Sequence, residues 1–125
     1  MKRSLLITVF ILLSPSFLSA QAKKQETRCG WFSNPTPANI SLYDSEGDWI
    51  IGVQGGYQVE GDWAWPNFGK QWIRTNGHYG YGCACLNLQV DKKTGHVLSI
   101  RSTQMKLLKT CRQDQALKKW SELLK

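Results

Sequence analysis

Tyr79-Gly80-Tyr81-Gly82-Cys83-Ala84-Cys85-Leu86-Asn87-Leu88-Gln89-Val90 is the stretch on which the fold turns. Side chains of an extended chain alternate between two faces. Ala84, Leu86, Leu88 and Val90 therefore point one way, and Cys83, Cys85, Asn87 and Gln89 the other. This predicts a central strand whose first face meets the main core and whose second carries the cysteines. Outward from it, further period-two runs predict strands near Cys29–Phe32, Ile40–Tyr43, Trp49–Gln54, Tyr57–Glu60, Lys70–Thr75 and His96–Thr103. Turn chemistry punctuates them: Asn34-Pro35-Thr36-Pro37 as a rigid turn, Asp44–Asp48 and Asp91–Gly95 as hairpin loops, and Asn76-Gly77 as a type I′ hairpin. The tail changes period. Ala116, Leu117, Trp120, Leu123 and Leu124 share one helical stripe, and Thr110 with Gln113 has the spacing of a capping box, which starts a C-terminal helix at Cys111.

The chain has 125 residues, and its start reads as a secretory leader. Met1-Lys2-Arg3 is basic, Leu5–Leu13 is apolar, and Ala20-Gln21-Ala22 offers small residues for cleavage. The apolar run is broken by Ser14-Pro15-Ser16, short of the roughly 18 residues a membrane span needs. The expected division is thus a signal peptide over residues 1–22 and one domain over 23–125, periplasmic or secreted, with no membrane span.

Cys29, Cys83, Cys85 and Cys111 are an even set in a small exported chain, which predicts a disulfide framework. A bridge between Cys83 and Cys85 would close a strained ring across one strand face. Two pairings survive: 29–83 with 85–111, or 29–85 with 83–111. A metal or redox site at Cys83-Ala84-Cys85, with His78 nearby, is the competing reading. Oxidation consumes such thiols outside the cytoplasm, and no second pair stands at zinc-ligand spacing. No metal or cofactor is expected.

The net charge is +7, and removing Lys2 and Arg3 with the leader leaves fourteen cations against nine acids, or +5. The distribution is uneven: Cys29–Gly69 holds five acids and no Lys or Arg, whereas Lys70–Lys125 holds eleven cations and three acids. A basic tail can address an anionic partner, but a solvated helix face is the plainer reading, and no nucleic-acid motif supports a nucleic-acid partner. Asp44, Glu46 and Asp48 imitate the opening of a calcium loop, yet Gly47 precedes the third acid and Gly55 stands where a Glu should close it, so an ordinary loop is expected. Glu46, Glu60 and Asp62 satisfy the bare requirement of a glycosidase pair, though nothing in their spacing selects them. His78 and His96 lack a nucleophile to serve.

Tyr57, Trp63, Trp65 and Phe68 are more informative. The last three lie among Gly61, Pro66, Asn67 and Gly69, where regular structure is disfavoured and loops display side chains. They are expected to form a recognition surface for protein or sugar, whereas Trp49 and Trp72 are expected to fill the core.

Arg28-Cys29-Gly30-Trp31-Phe32, Asn34-Pro35-Thr36-Pro37, Gly47-Asp48-Trp49, Gln54-Gly55-Gly56-Tyr57, Tyr79 to Cys85, and Cys111-Arg112 with Asp114 together resemble a family of small exported bacterial proteins, domain of unknown function 4087. The resemblance spans about Arg28–Leu117. It implies a bacterial envelope or secreted origin and makes all four cysteines part of the pattern, with Gly usual where Ala38 stands. It implies no activity and assigns no catalytic residue.

The sequence thus predicts a mainly β domain, a single small antiparallel sheet or barrel with a C-terminal amphipathic helix and two disulfides. Its expected role is a monomeric, non-enzymatic binding protein that binds or inhibits another envelope protein. A cell-wall glycan-binding module is the alternative, and a hydrolase using an acidic pair the third reading.

Overall fold

Strand β1 (Glu26–Thr36) is shared by two neighbours, and that sharing closes the fold. The computed structural model describes residues 24–125; the expected leader over residues 1–22 lies outside them. Along one edge β1 pairs antiparallel with β2 (Asn39–Tyr43), and along the other with β5 (Tyr79–Asp91) in register from Glu26 opposite Leu88 to Asn34 opposite Gly80. β2 pairs with β3 (Asp48–Gly52), β3 meets β6 (His96–Lys106) at a single parallel bridge, Ile50 to His96, and β6 returns antiparallel to β5. The circuit β1-β2-β3-β6-β5 closes back on β1, while β4 (Ile73–Asn76) pairs with the first residues of β5. The expected barrel-like form is the one observed, with one parallel bridge in an otherwise antiparallel sheet.

A barrel of so few strands leaves room inside for side chains only. Phe32, Leu42, Ile51, Leu86, Leu88 and Val97 are fully enclosed there, with Trp49, Phe68 and Ala84 around them. The outer face of β1 and β5 carries a second cluster, in which Trp31, Cys83, Leu108, Cys111 and Leu117 are buried beneath the tail. The alternation along β5 is therefore as the sequence predicts, and the cysteines lie on the face opposite the main core.

Of the two pairings left open, the chain adopts Cys29–Cys85 and Cys83–Cys111. Cys29 and Cys85 are directly opposite in the β1–β5 ladder, with Cα atoms 4.0 Å apart, so strand register decides the pairing.

Several local expectations are corrected. Residues 57–60 form no strand, because only Gln58 bridges, to Gly52, and the chain leaves the sheet there. Lys70 belongs to a 3₁₀ turn over Gly69–Gln71 that precedes β4. Asn34 to Thr36 continue β1, so the turn itself is Pro37-Ala38. In the β4–β5 hairpin Asn76 pairs with Tyr79, which makes Gly77 and His78 the central residues. Only Gly77 has positive φ (59°), as a Gly-first turn of type II′ requires, in place of type I′.

The tail is not one helix. α1 (Leu108–Gln113) starts three residues before the expected first helical residue, Cys111, and Gln71 Oε1 accepts from the Leu108 N–H at 2.8 Å in place of the capping box. Asp114 is extended and breaks the helix; its side chain accepts from Ala116 N at 3.0 Å and starts a 3₁₀ segment over Gln115–Leu124. The stripe narrows accordingly: Leu117 is buried and Trp120 and Leu124 half-buried, whereas Ala116 and Leu123 are exposed.

Ala38 occupies the second central position of the Pro37-Ala38 turn with φ 61°, where a side chain is disfavoured by about 1–2 kcal/mol. Glycine's greater freedom in the unfolded chain offsets part of that. Ala38→Gly should therefore stabilise the domain by about 0.5–1 kcal/mol in urea unfolding, and a loss of stability would refute this reading of the turn.

Candidate functional site

The twenty residues between Gly52 and Ile73 hold little regular structure, yet they are fastened along their length. Tyr57 Oη donates to Val97 O at 2.6 Å, Val59 N to Ile51 O at 2.9 Å, and Thr103 Oγ1 to Ala64 O at 2.8 Å. Phe68 N reaches Pro66 O at 3.0 Å, and Gln71 N reaches Phe68 O at 2.8 Å. A long loop so tied presents side chains in fixed positions.

Its aromatic residues converge on Phe32 of β1. Trp65 meets the Phe32 ring edge to face at 4.9 Å, and Phe68 lies tilted at 5.5 Å, with Trp63 and Trp72 at 6.3 and 6.5 Å. Trp63 stacks on Trp65 at 5.6 Å, and Phe68 tilts against Trp72 at 4.9 Å. Two glycines in the Tyr-Gly-Tyr-Gly block make this possible. A Cβ on Gly82 would lie 2.5 Å from the Phe68 ring, and one on Gly80 would collide with the Ile73 carbonyl of β4.

Exposure then separates the four predicted recognition residues. Trp65 is 46% exposed, the most exposed ring of the cluster, while Trp63 is half-buried behind it. Phe68 is 5% exposed and belongs to the core, a correction to its predicted place on the surface: Gly82 vacates a seat for its ring against the barrel. Tyr57 lies elsewhere, stacked on His96 at 4.0 Å and tied to β6.

Beside Trp65 opens a cleft of about 350 Å³, lined by Asn34, Trp65, Pro66, Asn67, Phe68, Trp72 and His78. No Asp, Glu, Lys or Arg side chain lines it. Trp72, expected in the core, is half-buried and forms a wall, its Nε1 donating to His78 O at 2.9 Å. Asn34 is buried at the cleft's end and spends its amide donors on Thr36 O and Asn39 O at 2.9 and 2.8 Å. The signal for Trp72, Asn34 and His78 was absent from the local sequence because β1 and the β4–β5 hairpin bring them in from separate parts of the chain.

The remaining candidate groups have other positions. Asp44 does not sit in a cation loop: its Oδ1 accepts from the N–H groups of Glu46 and Gly47, and its Oδ2 binds buried Arg28 at 2.8 Å. Burial alone would lower the Arg28 guanidinium, but hydrogen bonds to Asp44 and Glu46 outweigh it and hold the group above its ordinary value. On the outer face of β2 and β3, desolvation followed by the charge of Asp48 raises the Tyr43 phenol, and desolvation raises the Asp48 carboxyl against a bond from Ser41. Among the described residues no three His, Cys, Asp or Glu side chains are placed to hold a metal ion, and no helix is long and apolar enough to cross a membrane.

Fold and cleft together define a disulfide-stapled β-barrel domain with a tryptophan-walled cleft. The chain belongs to the family described as protein of unknown function (DUF4087), whose model matches residues 23–118. That match takes in all four cysteines and the cleft. No curated protein and no solved structure matches the chain.

Proposed function

We propose that this protein is an exported binding protein, without enzymatic activity, that holds an apolar segment of another envelope protein in the Trp65 cleft and so occupies or inhibits that partner. The observation that carries the reading is Trp65, 46% exposed at the mouth of a concave aromatic site on an otherwise fastened loop. Large rigid rings in a preformed pocket are the usual anchors of protein interfaces, because they contribute area at small entropic cost. Two disulfides fit an oxidising compartment, and the basic, apolar start of the chain supports export.

The cleft favours a protein over a glycan for a chemical reason. A sugar presents many hydroxyls that need partners on the protein, whereas the amide donors of Asn34 and the indole N–H of Trp72 are already spent on backbone carbonyls, which leaves Asn67, His78 and the Trp65 indole as the side-chain partners in the cleft. An apolar side chain makes no such demand.

Trp65→Ala is the test. Binding should weaken by about 2 kcal/mol, roughly thirtyfold, as for an interface anchor. Folding stability should fall by only about 1–2 kcal/mol, because the ring contacts Phe32 and Trp63 but is half in solvent. Capture from envelope extract should yield one stoichiometric protein with the wild-type chain and none with the variant. Retention on insoluble peptidoglycan instead, abolished by the same variant, would overturn the proposal in favour of glycan binding.

A further inference from the structure

The tail leaves a second concavity on the opposite face of the sheet, independent of the Trp65 cleft. It measures about 410 Å³ and runs between Trp31 and Tyr81 on the barrel and Arg112, Leu117, Lys118 and Ser121 on the tail. Its floor is aromatic and apolar: Trp31 and Tyr81 meet edge to face at 5.4 Å, beside the buried Leu117. Its rim is cationic.

The cations differ in how they are held. Lys125 is engaged with Glu122 at 2.7 Å. Arg112 and Lys118 form no ion pair among the described residues, and both are exposed. Each follows an anchored neighbour. Arg112 comes directly after Cys111, which is bridged to Cys83, and Lys118 comes directly after Leu117, which is 3% exposed. Their backbone positions are thus fixed beside the cleft, unlike those of lysines on a solvated face, and Ser121 Oγ donates to Lys118 O at 2.7 Å, which further tightens that turn.

We infer that this cleft binds a small ligand combining an oxyanion with an aromatic or short aliphatic body. The oxyanion lies between Arg112 and Lys118, where unpaired cations on anchored backbone form charge-assisted hydrogen bonds. The body lies chiefly on the half-buried Tyr81 ring, with the 5% of Trp31 left exposed adding apolar contact at the cleft floor. The volume sits near the lower end for small-molecule sites, so the ligand is about the size of a substituted ring. Neither half suffices alone: exposed cations by themselves bind free anions weakly at physiological salt, and the floor carries too little area to hold a neutral ring.

The test uses the disulfide-bonded protein and phenyl phosphate, followed by the Trp31 indole N–H signal in nuclear magnetic resonance. A saturable shift of that signal is expected, weakened about tenfold by Arg112→Gln or Lys118→Gln and further by raised salt. Benzyl alcohol and inorganic phosphate, which each supply one half of the ligand, should bind at least tenfold more weakly than phenyl phosphate. Both variants alter exposed side chains, and an unchanged melting temperature confirms that the tail remains docked. Absence of a saturable Trp31 shift would overturn the inference, as would equal affinity in the Arg112→Gln/Lys118→Gln double variant or equal binding of either half-ligand. The Trp65→Ala capture experiment is unaffected by any of these results.

Discussion

Replacing Asp44 with Ala should lower the stability of the domain by about 3–5 kcal/mol, the cost of stranding a buried charge. The Arg28 and Asp44 side chains are 5% and 6% exposed and meet at 2.8 Å, with the guanidinium 4.1 Å above the Trp49 ring. The variant strips Arg28 of its enclosed counter-charge and opens the 44–47 loop, whose Glu46 and Gly47 N–H groups lose their acceptor. Glu26 and Glu46 still reach Arg28 at 3.2 and 3.1 Å, which holds the loss near the lower end of the range. Glu46→Ala is the internal control. Its side chain is 60% exposed, so its removal should cost less than about 1 kcal/mol. Urea unfolding of both variants decides the matter, and equal losses would refute the assignment of Asp44 as the buried partner. A combined Arg28→Met/Asp44→Leu replacement should recover much of the loss, since removing both charges leaves none unpaired.

Arg28 also marks where local sequence reading stops. Nothing next to it indicates burial, because its partners Asp44 and Glu46 stand 16 and 18 residues away and meet it only when β2 folds onto β1. The alternation Ala84, Leu86, Leu88, Val90 was legible for the opposite reason: pleat geometry is local, and a buried face writes itself into every second residue. The disulfide pairing lies between these cases. Two cysteines two residues apart exclude each other, but choosing Cys85 over Cys83 for Cys29 needs the β1–β5 register, which sets residues 56 positions apart against each other.

The candidate site divides in the same way. Gly61, Pro66, Asn67 and Gly69 correctly mark an irregular segment, and within it Trp65 is exposed. The same neighbours place Phe68 in solvent, whereas its ring enters the core because Gly82, on another strand, has no side chain. Trp72 packs against the core as expected and also walls the cleft, whereas Tyr57, expected on the recognition surface, is fastened to β6 away from it. In the tail, the apolar stripe keeps helical spacing across Asp114, but the Asp114 side chain caps a new 3₁₀ segment and ends the helix before it.

The two bridges should differ in a direction that loop length alone gets wrong. Chain entropy favours the Cys29–Cys85 bridge, which spans 56 residues against 28 for Cys83–Cys111, and assigns them about 4.2 and 3.6 kcal/mol. Packing reverses the order. Cys29 is exposed and Cys85 half-buried, so Ala at both leaves the core intact, whereas Cys83 and Cys111 are 1% and 3% exposed within the outer cluster. Their truncation opens a cavity beneath the tail, adding about 1–2 kcal/mol. Cys83→Ala/Cys111→Ala should therefore lose about 5 kcal/mol and Cys29→Ala/Cys85→Ala about 4, either of which consumes most of the stability of a domain this size. The two losses should also differ in reach. β1 and β5 remain in register through eight further residue pairs, so losing 29–85 should speed amide exchange evenly across the barrel. Without 83–111 the tail keeps its non-covalent ties alone: the Leu108, Leu117 and Leu124 contacts, the Trp120 ring stacked on Tyr43 at 5.0 Å, the Leu108–Gln71 bond and the Trp120 and Lys119 bonds to the 44–45 carbonyls. Its amides from Leu108 to Leu124 should then exchange well ahead of the strands. Hydrogen exchange of both double variants is the measurement. A tail as protected as the sheet in Cys83→Ala/Cys111→Ala would show that side-chain packing, without the covalent tie, is what holds the segment over the outer face.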